Sequence, residues 1–309
     1  MAAENVTTDG FLIVGFSDLP QLQVPLSIVL LLVYLMTLIG NLLVMIIVYS
    51  NPHLHTPMYF FISNLSFLDI SYTSVISPPL LAHFLSPQTQ ISFTECLLQV
   101  YFVMVKVNLE FVLLAVMAYD RYVAICNPLR YMAIMNKAVC FLLAAGSWVV
   151  GLLNVIPHAV LLSRLSFCGS HTINHFFCDV TALMKLSCSS TLAIEAMSYM
   201  LGATVALMSF SLITTSYTRI ISSIWKIHSR EGRSKAFSTC ASHLIVAILF
   251  YGSVCATYLR PTSTYSMNEN KIFSLFYTGV TPLWNPIIYS LKNTEFIKAM
   301  KNFNKITKQ

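Results

Sequence analysis

The chain has 309 residues, of which 56% are hydrophobic and only 10% are charged. A soluble globular domain carries about 25% charged residues. This composition, with a mean hydropathy of +0.71, excludes an ordinary soluble protein and indicates an integral membrane protein. The net charge is +6, and most of the basic excess on the cytoplasmic side is expected to reflect membrane topology; only the remainder would attract anionic lipid or an acidic partner. A nucleic-acid partner is not expected.

Seven apolar segments are each long enough to cross the hydrocarbon core of a bilayer, which takes about 20 helical residues. They are Val24–Tyr49, Pro57–Phe84, Cys96–Tyr119, Val139–Leu162, Ser198–Ile221, Ala236–Tyr258 and Ile272–Leu291. The pattern predicts an all-α membrane protein, a seven-transmembrane helix bundle over residues 24–291. It also predicts an extracellular N-terminal tail at 1–23 and a cytoplasmic tail at 292–309.

The distribution of basic residues indicates the orientation of the bundle. If the N-terminus lies outside, 13 of the 18 Lys and Arg residues fall on the cytoplasmic side, in agreement with the positive-inside rule. The other five are Lys106, Arg164, Lys185, Arg260 and Lys271. The tripeptide Asn5-Val6-Thr7 fits the same orientation, because an Asn-x-Thr acceptor is glycosylated on the lumenal side. Asn5 is therefore a predicted glycosylation site.

The segment after the seventh span has a helical period. One face would carry Phe296, Met300, Phe303 and Ile306, and another Lys298, Lys301, Lys305 and Lys308. This pattern predicts a short amphipathic C-terminal helix on the inner leaflet. A frayed basic tail is the alternative.

Four of the eight cysteines lie at the outer face, where disulfides persist: Cys96, Cys168, Cys178 and Cys188. They permit three pairings, and spacing alone does not decide among them. The other four are interpreted as small buried hydrophobes: Cys126, Cys140, Cys240 and Cys255.

His171 and His175 stand four residues apart just before Cys178, and a metal site is conceivable there. If Cys178 is oxidised, only two ligands remain, so neither a metal nor another cofactor is predicted.

Ionisable groups inside the predicted spans are costly and therefore candidates for function. Asp69 lies near mid-membrane in the second span, and Glu110 lies mid-way along the third, with Lys106 one turn before it. Asn41 and Asn285 supply amide partners. Two carboxylates at similar depth could hold a cation such as sodium, or Lys106 could neutralise one of them through an i,i+4 pair.

In the seventh span, "TPLWNPIIYS" is interpreted as a polar hinge, because proline leaves helix carbonyls unpaired.

Several motifs occur in order at matching spans. They are Gly40-Asn41, "LHTPMYFF" at Leu54–Phe61, "MAYDRYVAICNPLRY" at Met117–Tyr131, "HFFCDVTALMKLSC" at His175–Cys188, "SYTRII" at Ser216–Ile221, "KAFSTCASHL" at Lys235–Leu244 and "NPIIYSLKN" at Asn285–Asn293. With them the chain resembles, over nearly its whole length, an odorant receptor of the rhodopsin-like G-protein-coupled receptor superfamily. The run at His175–Cys188 resembles the tetrapod-type, class II branch.

The resemblance implies a switch at the cytoplasmic end. Arg121 would be held by Asp120 and by polar groups of the sixth span in the quiet receptor, and would be freed when that span swings outward to admit a G protein. The implied switch residues are Asp120, Arg121, Tyr122, Tyr217, His243, Asn285, Pro286 and Tyr289. The resemblance also implies disulfides Cys96–Cys178 and Cys168–Cys188. It further implies an odorant ligand, a heterotrimeric stimulatory G protein that raises cAMP, and a plasma-membrane location in olfactory cilia.

A ligand site is expected two to three helical turns below the outer face, capped by the loop after Cys178. Helical spacing on the third, fifth, sixth and seventh spans selects Met104, Asn108, Phe111, Ser198, Leu201, Gly202, Val205, Tyr251, Cys255, Tyr258 and Thr278. By resemblance, Tyr251 would lie under the ligand. The set is mostly apolar, which suits a compact uncharged molecule, and no acidic group is expected to face it.

Other functions fit less well. A retinal-based pump needs a lysine in the seventh span, and Ile272–Leu291 contains none. Inverted repeats, a common feature of transporters, are not apparent. An enzyme is not predicted either, because the chain lacks the H-E-x-x-H and G-x-S-x-G motifs. The alternative within receptors is a non-olfactory chemosensor for a small metabolite.

Overall fold

The computed structural model describes residues 10–15, 23–85, 90–168, 171–258, 271, 273–291 and 294–306. The predicted glycosylation site Asn5 lies outside these residues. Within them the chain forms seven long helices and a C-terminal helix. Their bounds are α1, Gln23–Ser50; α2, Pro57–Leu85; α3, Phe93–Cys126; α4, Lys137–Leu153 with Ile156–Leu162; α5, Leu192–Met197 and Ala203–Ile224 joined by a π-turn at Ser198–Gly202; α6, Arg230–Tyr258; α7, a π-turn at Phe276–Val280 and Thr281–Leu291; and α8, Thr294–Ile306.

Five stretches of the described chain are long and apolar enough to cross a membrane: Gln23–Ser50, Phe93–Cys126, Lys137–Leu162, Leu192–Ile224 and Cys240–Tyr258. The helix α2 has 29 residues but is interrupted by polar side chains, including Asp69. Burial differs strongly among these helices. In the apolar window of α3, 67% of the residues are buried, against 28% for α1. The helix α3 therefore forms the centre of the bundle, whereas much of α1 faces lipid.

The start of α3 is determined by a capping box. The Ser92 hydroxyl accepts a hydrogen bond from the Glu95 amide at 3.3 Å, and the Glu95 carboxylate accepts one from the Ser92 amide at 3.0 Å. These contacts satisfy backbone donors that the first turn of a helix leaves without partners. They position Cys96 in the first turn, next to the outer loop.

A proline-dependent contact joins α1 to α7. Proline at 286 has no backbone N–H, so the carbonyl of Pro282, four residues earlier, lacks its helical donor. The Asn41 side chain donates to that carbonyl at 3.1 Å and also to the Thr37 carbonyl at 3.0 Å. A Cβ on Gly40 would lie 3.1 Å from the Pro286 ring, so the glycine permits the close approach of the two helices. The predicted polar hinge is thus packed against α1.

The outer end of the bundle is covered by a cap of three short strands and a loop helix. Strand β1, Phe11–Ile13, lies between β2, Gln90–Ile91, and β3, Thr172–Ile173; it is antiparallel to β2 and parallel to β3. The loop helix spans Val180–Leu186. The cap has a hydrophobic core of its own, separate from the core of the helix bundle. It includes Phe11, Ile13, Ile91, Val100, Leu162, Ile173 and Leu183. Part of the predicted N-terminal tail is therefore a strand of this cap.

Both implied disulfides are present in the cap. Cys96 bonds to Cys178, which attaches the loop to the top of α3, and Cys168 bonds to Cys188 within the loop. Lys271, just before α7, donates to the Gly15 carbonyl at 2.5 Å and to the Asn174 side chain at 2.6 Å. One lysine thus connects β1, the loop and the start of the last span.

The C-terminal segment forms the predicted amphipathic helix, α8. Phe296 is buried and its ring stacks on Tyr59 of α2 with centroids 6.2 Å apart. Met300 is partly buried against the core, whereas Lys298 and Lys301 are exposed. The side chain of Ile306 and the residue Lys308 lie outside the described set.

Candidate functional site

A cavity of about 340 Å³ lies between α3, α4, α5 and α6, below the loop helix of the cap. Its volume falls in the range of small-molecule sites. Seven of the eleven residues selected from helical spacing line it: Met104, Asn108, Phe111, Ser198, Gly202, Cys255 and Tyr258.

The other four selected residues lie away from the cavity wall. On α5 the wall is formed by Ser198, Tyr199, Gly202, Ala203 and Ala206 rather than by Leu201 and Val205. The lining residues from Glu195 to Ala206 recur at intervals of three and four, as on one face of a regular helix, and Leu201 and Val205 lie to one side of that face. The period of 3.6 residues was therefore correct, and the predicted face of α5 was centred too early on the helix.

The side chains of Tyr251 and Thr278 make hydrogen bonds outside the cavity. The Tyr251 hydroxyl donates to Ser209 at 2.8 Å, and its ring packs edge-on against Phe111 with centroids 4.8 Å apart. The Thr278 hydroxyl donates to the Ser274 carbonyl in its own helix at 2.6 Å. Thr278 lies within the π-turn at Phe276–Val280.

The fourth helix and the cap contribute residues that spacing on the selected spans could not find. They are Asn154 and His158 from α4, and Val180, Thr181, Met184 and Lys185 from the loop helix. Further lining residues are Val107, Thr191, Glu195, Val254 and Thr257. Asn154 and His158 stand four apart on one helical face, and this pair of polar residues near the end of an apolar span was a usable signal.

The expectation that no acidic group faces the site is wrong. Glu195 lines the cavity near the start of α5, and its carboxylate accepts a hydrogen bond from Thr191 at 2.8 Å. Lys185 of the loop helix also contributes to the wall and is exposed. The two opposite charges lie on the cap side of the cavity, whereas Met104, Val107 and Phe111 form an apolar wall on α3.

A hydrogen-bond network joins the cap to the helices beside the cavity. The Tyr258 hydroxyl donates to the Asp179 carboxylate at 3.1 Å and lies 2.9 Å from the Tyr277 hydroxyl. The same carboxylate accepts from the Thr181 amide at 2.9 Å and so caps the loop helix. The wall residue Tyr258 thus connects α6, α7 and the loop that covers the site.

Deeper in the bundle, the predicted polar core is assembled. Lys106 and Glu110 form an ion pair at 2.5 Å, with both side chains fully buried. The Lys106 ammonium also donates to the Tyr277 carbonyl at 2.8 Å, and Asn285 donates to Asp69 at 2.8 Å. Of the two arrangements open from the sequence, the structure contains the i,i+4 pair. A buried pair of this kind is weak evidence for stability but strongly destabilising when one partner is removed.

At the inner end, Asp120 and Arg121 do not interact as the resemblance implied. Across the described residues, no ion pair joins their side chains. Asp120 is buried and accepts a hydrogen bond from the Tyr131 hydroxyl at 2.8 Å, in the segment after α3. One Asp120 oxygen and the Arg121 Nε are buried with no hydrogen-bond partner in the described chain. The hydrogen bond of the carboxylate therefore connects α3 to the following segment, and Arg121 lies close by without a direct ion pair.

His243 makes the contact between helices that was assigned to Arg121. One ring nitrogen lies 2.9 Å from the Tyr217 hydroxyl on α5, and the other lies 3.0 Å from the Leu114 carbonyl on α3. The Tyr217 hydroxyl also donates to the Cys240 carbonyl at 3.3 Å. His243, on α6 and fully buried, thus links the three helices of the implied switch. Tyr289 is buried in the same core, and Tyr122 is partly buried against it.

The two outer histidines do not form a metal site with Cys178, because that cysteine is in a disulfide. Over the described residues there is no group of three or more His, Cys, Asp or Glu side chains placed to hold a metal. His175 is buried between Phe176 and Phe177. Burial lowers its pKa to about 4; the Asp179 carboxylate opposes the shift, and the Lys271 ammonium adds to it.

Comparisons with known proteins identify the family. A family model described as olfactory receptor matches residues 30–305. The chain belongs to the olfactory receptor family. Its relatives include human olfactory receptor 1L4, 47% identical over 96% of this chain and 95% of that protein, and human olfactory receptor 5F1, 45% identical over 98% and 96%. Mouse olfactory receptor 5AR1 is 47% identical over 94% of each chain.

Membership explains the architecture. Olfactory receptors are seven-transmembrane G-protein-coupled receptors without enzymatic activity, so α1–α7 are the membrane bundle and the protein is a multi-pass membrane protein. The predicted fold class is confirmed, and α2 and α7 are spans in spite of their polar content.

Proposed function

We propose that this olfactory receptor binds a small volatile organic molecule in the cavity between α3, α4, α5 and α6 and activates a stimulatory G protein, which raises cAMP. The cavity carries the proposal. Its volume of about 340 Å³, its apolar wall on α3 and its few polar groups have the character of a small-molecule site.

The inner end of the bundle supports the coupling step. His243 joins α6 to α3 and α5 through hydrogen bonds, and each such bond contributes only about 0.5–1.5 kcal/mol. An outward movement of the inner end of α6 therefore has few hydrogen bonds to break. Arg121 lies beside this network, with its Nε lacking a hydrogen-bond partner in the described chain. We propose that Asp120, Arg121, Tyr122, Tyr217, His243, Asn285, Pro286 and Tyr289 form the switch that admits the G protein.

The cap supports communication between the ligand and the bundle. Tyr258 contributes to the cavity wall and also contacts Asp179 and Tyr277, so a ligand that displaces its side chain would act on α6, α7 and the loop together. The proposed location is the plasma membrane of olfactory cilia. The N-terminus and the cap would face outside, and α8 would lie on the inner leaflet.

The test is a cAMP assay on cells that express the full chain at their surface, with a panel of volatile acids, aldehydes, ketones, amines and alcohols. We expect at least one class to raise cAMP in a concentration-dependent way. Asn108→Ala and Tyr258→Phe should shift agonist potency at unchanged surface level, because both side chains line the cavity. Silence across the panel despite surface expression would contradict the proposed function, and unchanged potency in both variants would place the ligand elsewhere.

A further inference from the structure

His158 stands out among the polar groups of the cavity. It lies in the second segment of α4, Ile156–Leu162, and lines the cavity while its side chain is only 2% exposed. Neither ring nitrogen has a hydrogen-bond partner within the described chain. The Asn154 backbone carbonyl, one turn earlier, lies near the ring but outside hydrogen-bond geometry. Buried polar groups are nearly always hydrogen-bonded, so this imidazole requires a partner from inside the cavity.

Most other polar side chains of the wall already have partners. Thr191 donates to Glu195, Thr257 donates to the Ser253 carbonyl, and Tyr258 donates to Asp179. Thr181 also contacts that carboxylate. These groups offer less to a ligand, because using them would break an existing hydrogen bond. A ligand that bonds to either ring nitrogen of His158 breaks no existing hydrogen bond.

Two amides complete a polar wall with His158. The Asn154 amide donates to the Asn108 carbonyl oxygen at 2.8 Å, and the Asn108 amide donates to the Met104 backbone carbonyl at 2.8 Å. Each amide nitrogen carries two hydrogens and uses one of them in these bonds, so each keeps one donor. A neutral imidazole adds one donor and one acceptor. The wall therefore presents both donors and an acceptor at one end of a largely apolar cavity.

A hydroxyl is the ligand group that matches such a wall, since it donates and accepts at once. Aldehydes, ketones, esters and ethers only accept, so they leave the imidazole acceptor without a partner. A carboxylate or an ammonium would have Lys185 or Glu195 as its counter-charge on the cap side of the cavity, but the Glu195 carboxylate already accepts from Thr191 and neither charge belongs to the His158 wall.

We infer that His158, with Asn108 and Asn154, forms a hydroxyl-binding subsite, and that the agonists of this receptor are monohydric alcohols with an apolar body. This inference rests on the proposed function and names its ligand class. The apolar part of the ligand packs against Met104, Val107, Phe111 and Val254, and the hydroxyl donates to one His158 nitrogen and accepts from an amide.

The experiment compares matched pairs of ligands on cells that express the full chain. Each pair consists of a primary alcohol and its methyl ether on the same carbon skeleton, over a series of chain lengths, and the readout is cAMP normalised to surface receptor. In the native chain we expect each alcohol to be more potent than its ether by about tenfold, the usual effect of one hydrogen bond to a buried partner. His158→Phe keeps a ring of similar volume and should reduce this ratio to near one. His158→Gln keeps a donor and an acceptor and should retain most of the preference.

The matched control is Met104→Leu, which changes the shape of the apolar wall without touching a polar group. It should shift the potencies of alcohol and ether together and leave their ratio unchanged. If His158→Phe fails to reach the surface, His158→Leu and Asn154→Leu at the surface give the same comparison.

The outcomes separate the two proposals. If the native receptor responds equally to alcohols and ethers, or if the preference survives in His158→Phe, the hydroxyl subsite is wrong and the proposed function stands. If the native receptor at the surface responds to no compound of the broad panel, the proposed function itself fails. A preference that is lost in His158→Phe and kept in His158→Gln supports the subsite.

Discussion

At the outer end of the bundle, two disulfides, three short strands and a separate hydrophobic core attach the loop to α3. At the inner end of the described chain, no disulfide joins α3, α5 and α6, which meet through apolar packing and a few single hydrogen bonds. Cys96–Cys178 is covalent, and Lys271 adds two short contacts to the cap. His243, Tyr217 and Asp120 make the inner contacts. Removing a native disulfide costs roughly 2–5 kcal/mol, and one hydrogen bond contributes about 0.5–1.5 kcal/mol. The two ends therefore differ in how easily they rearrange: the cap holds its shape, and the inner end can open.

The largest effect is expected from breaking the cap. Cys178→Ser removes the bond between the loop and α3 and leaves Cys96 with a buried thiol that has lost its disulfide partner. We expect loss of about 2–5 kcal/mol of stability and of most surface delivery, measured by antibody labelling of an N-terminal tag on intact cells. Cys188→Ser is the matched control, because it opens only the loop within itself and should cost less. Normal surface levels of Cys178→Ser would mean that the strands and the hydrophobic core of the cap hold it without the disulfide.

Breaking the inner end should leave the fold intact and remove the signal. Arg121→Ala replaces a half-buried side chain at the end of α3 that makes no ion pair among the described residues. We expect near-native surface expression and loss of agonist-driven cAMP, measured on the same cells. Arg130→Ala, nine positions further along the chain and exposed, is the control and should signal normally. An Arg121→Ala receptor that signals like the native one would remove Arg121 from the proposed switch.

A smaller change is expected from loosening the contact between α6 and its neighbours. His243→Phe removes the hydrogen bonds to Tyr217 and to the Leu114 carbonyl while keeping a ring in the core. If these bonds favour the quiet arrangement, basal cAMP should rise by about two- to tenfold, which corresponds to about 0.5–1.5 kcal/mol. Tyr217→Phe removes one of the two contacts and should give a smaller rise. Basal cAMP below the native level in both variants would show that the bonds favour the active arrangement instead.

Acid should weaken the cap through His175. The pKa of His175 is about 4 in the folded protein, against an ordinary value of 6.5, because burial disfavours the charged form. Between pH 4 and pH 6.5, His175 therefore binds a proton more readily in the unfolded chain than in the folded protein. The associated stability is thus fully present above pH 6.5 and is lost as the pH falls towards 4, by at most on the order of 1.4 kcal/mol per pH unit. Thermal unfolding of purified receptor in detergent should show this loss, and His175→Phe should reduce it. An identical pH dependence in both proteins would assign the acid sensitivity to other groups.

The sequence predicted those parts of the molecule that depend on composition and regular period. Seven spans, the amphipathic C-terminal helix and the i,i+4 pair of Lys106 and Glu110 follow from apolar length and from a spacing of 3.6 residues per turn. The helix ends were less predictable. The helix α6 begins at Arg230, six residues before its apolar span, because a helix continues into water beyond the residues that need lipid.

The site was only partly predictable, for three physical reasons. Composition does not determine how a span is rotated about its axis, so Leu201 and Val205 were selected on α5 and Tyr199, Ala203 and Ala206 were missed. His158 belongs to the fourth span, from which no lining residue was selected, although Asn154 and His158 mark one face of it. The pairing of Asp120 with Tyr131 instead of Arg121 depends on how the segment after α3 folds back, and adjacency in the sequence gives no information about that.

The contact between Asn41 and the Pro282 carbonyl has a consequence for how this chain can change over time. Asn41 compensates for a donor that Pro286 cannot supply, so the effect of replacing either residue depends on the other. Alanine at 286 would restore the N–H that the Pro282 carbonyl needs and would make the Asn41 amide dispensable there. Replacing Asn41 while Pro286 remains would leave the Pro282 carbonyl buried without a donor. The two positions form an epistatic pair, and the order in which they mutate determines whether the intermediate protein carries a cost of about 1–3 kcal/mol for a buried carbonyl without a donor.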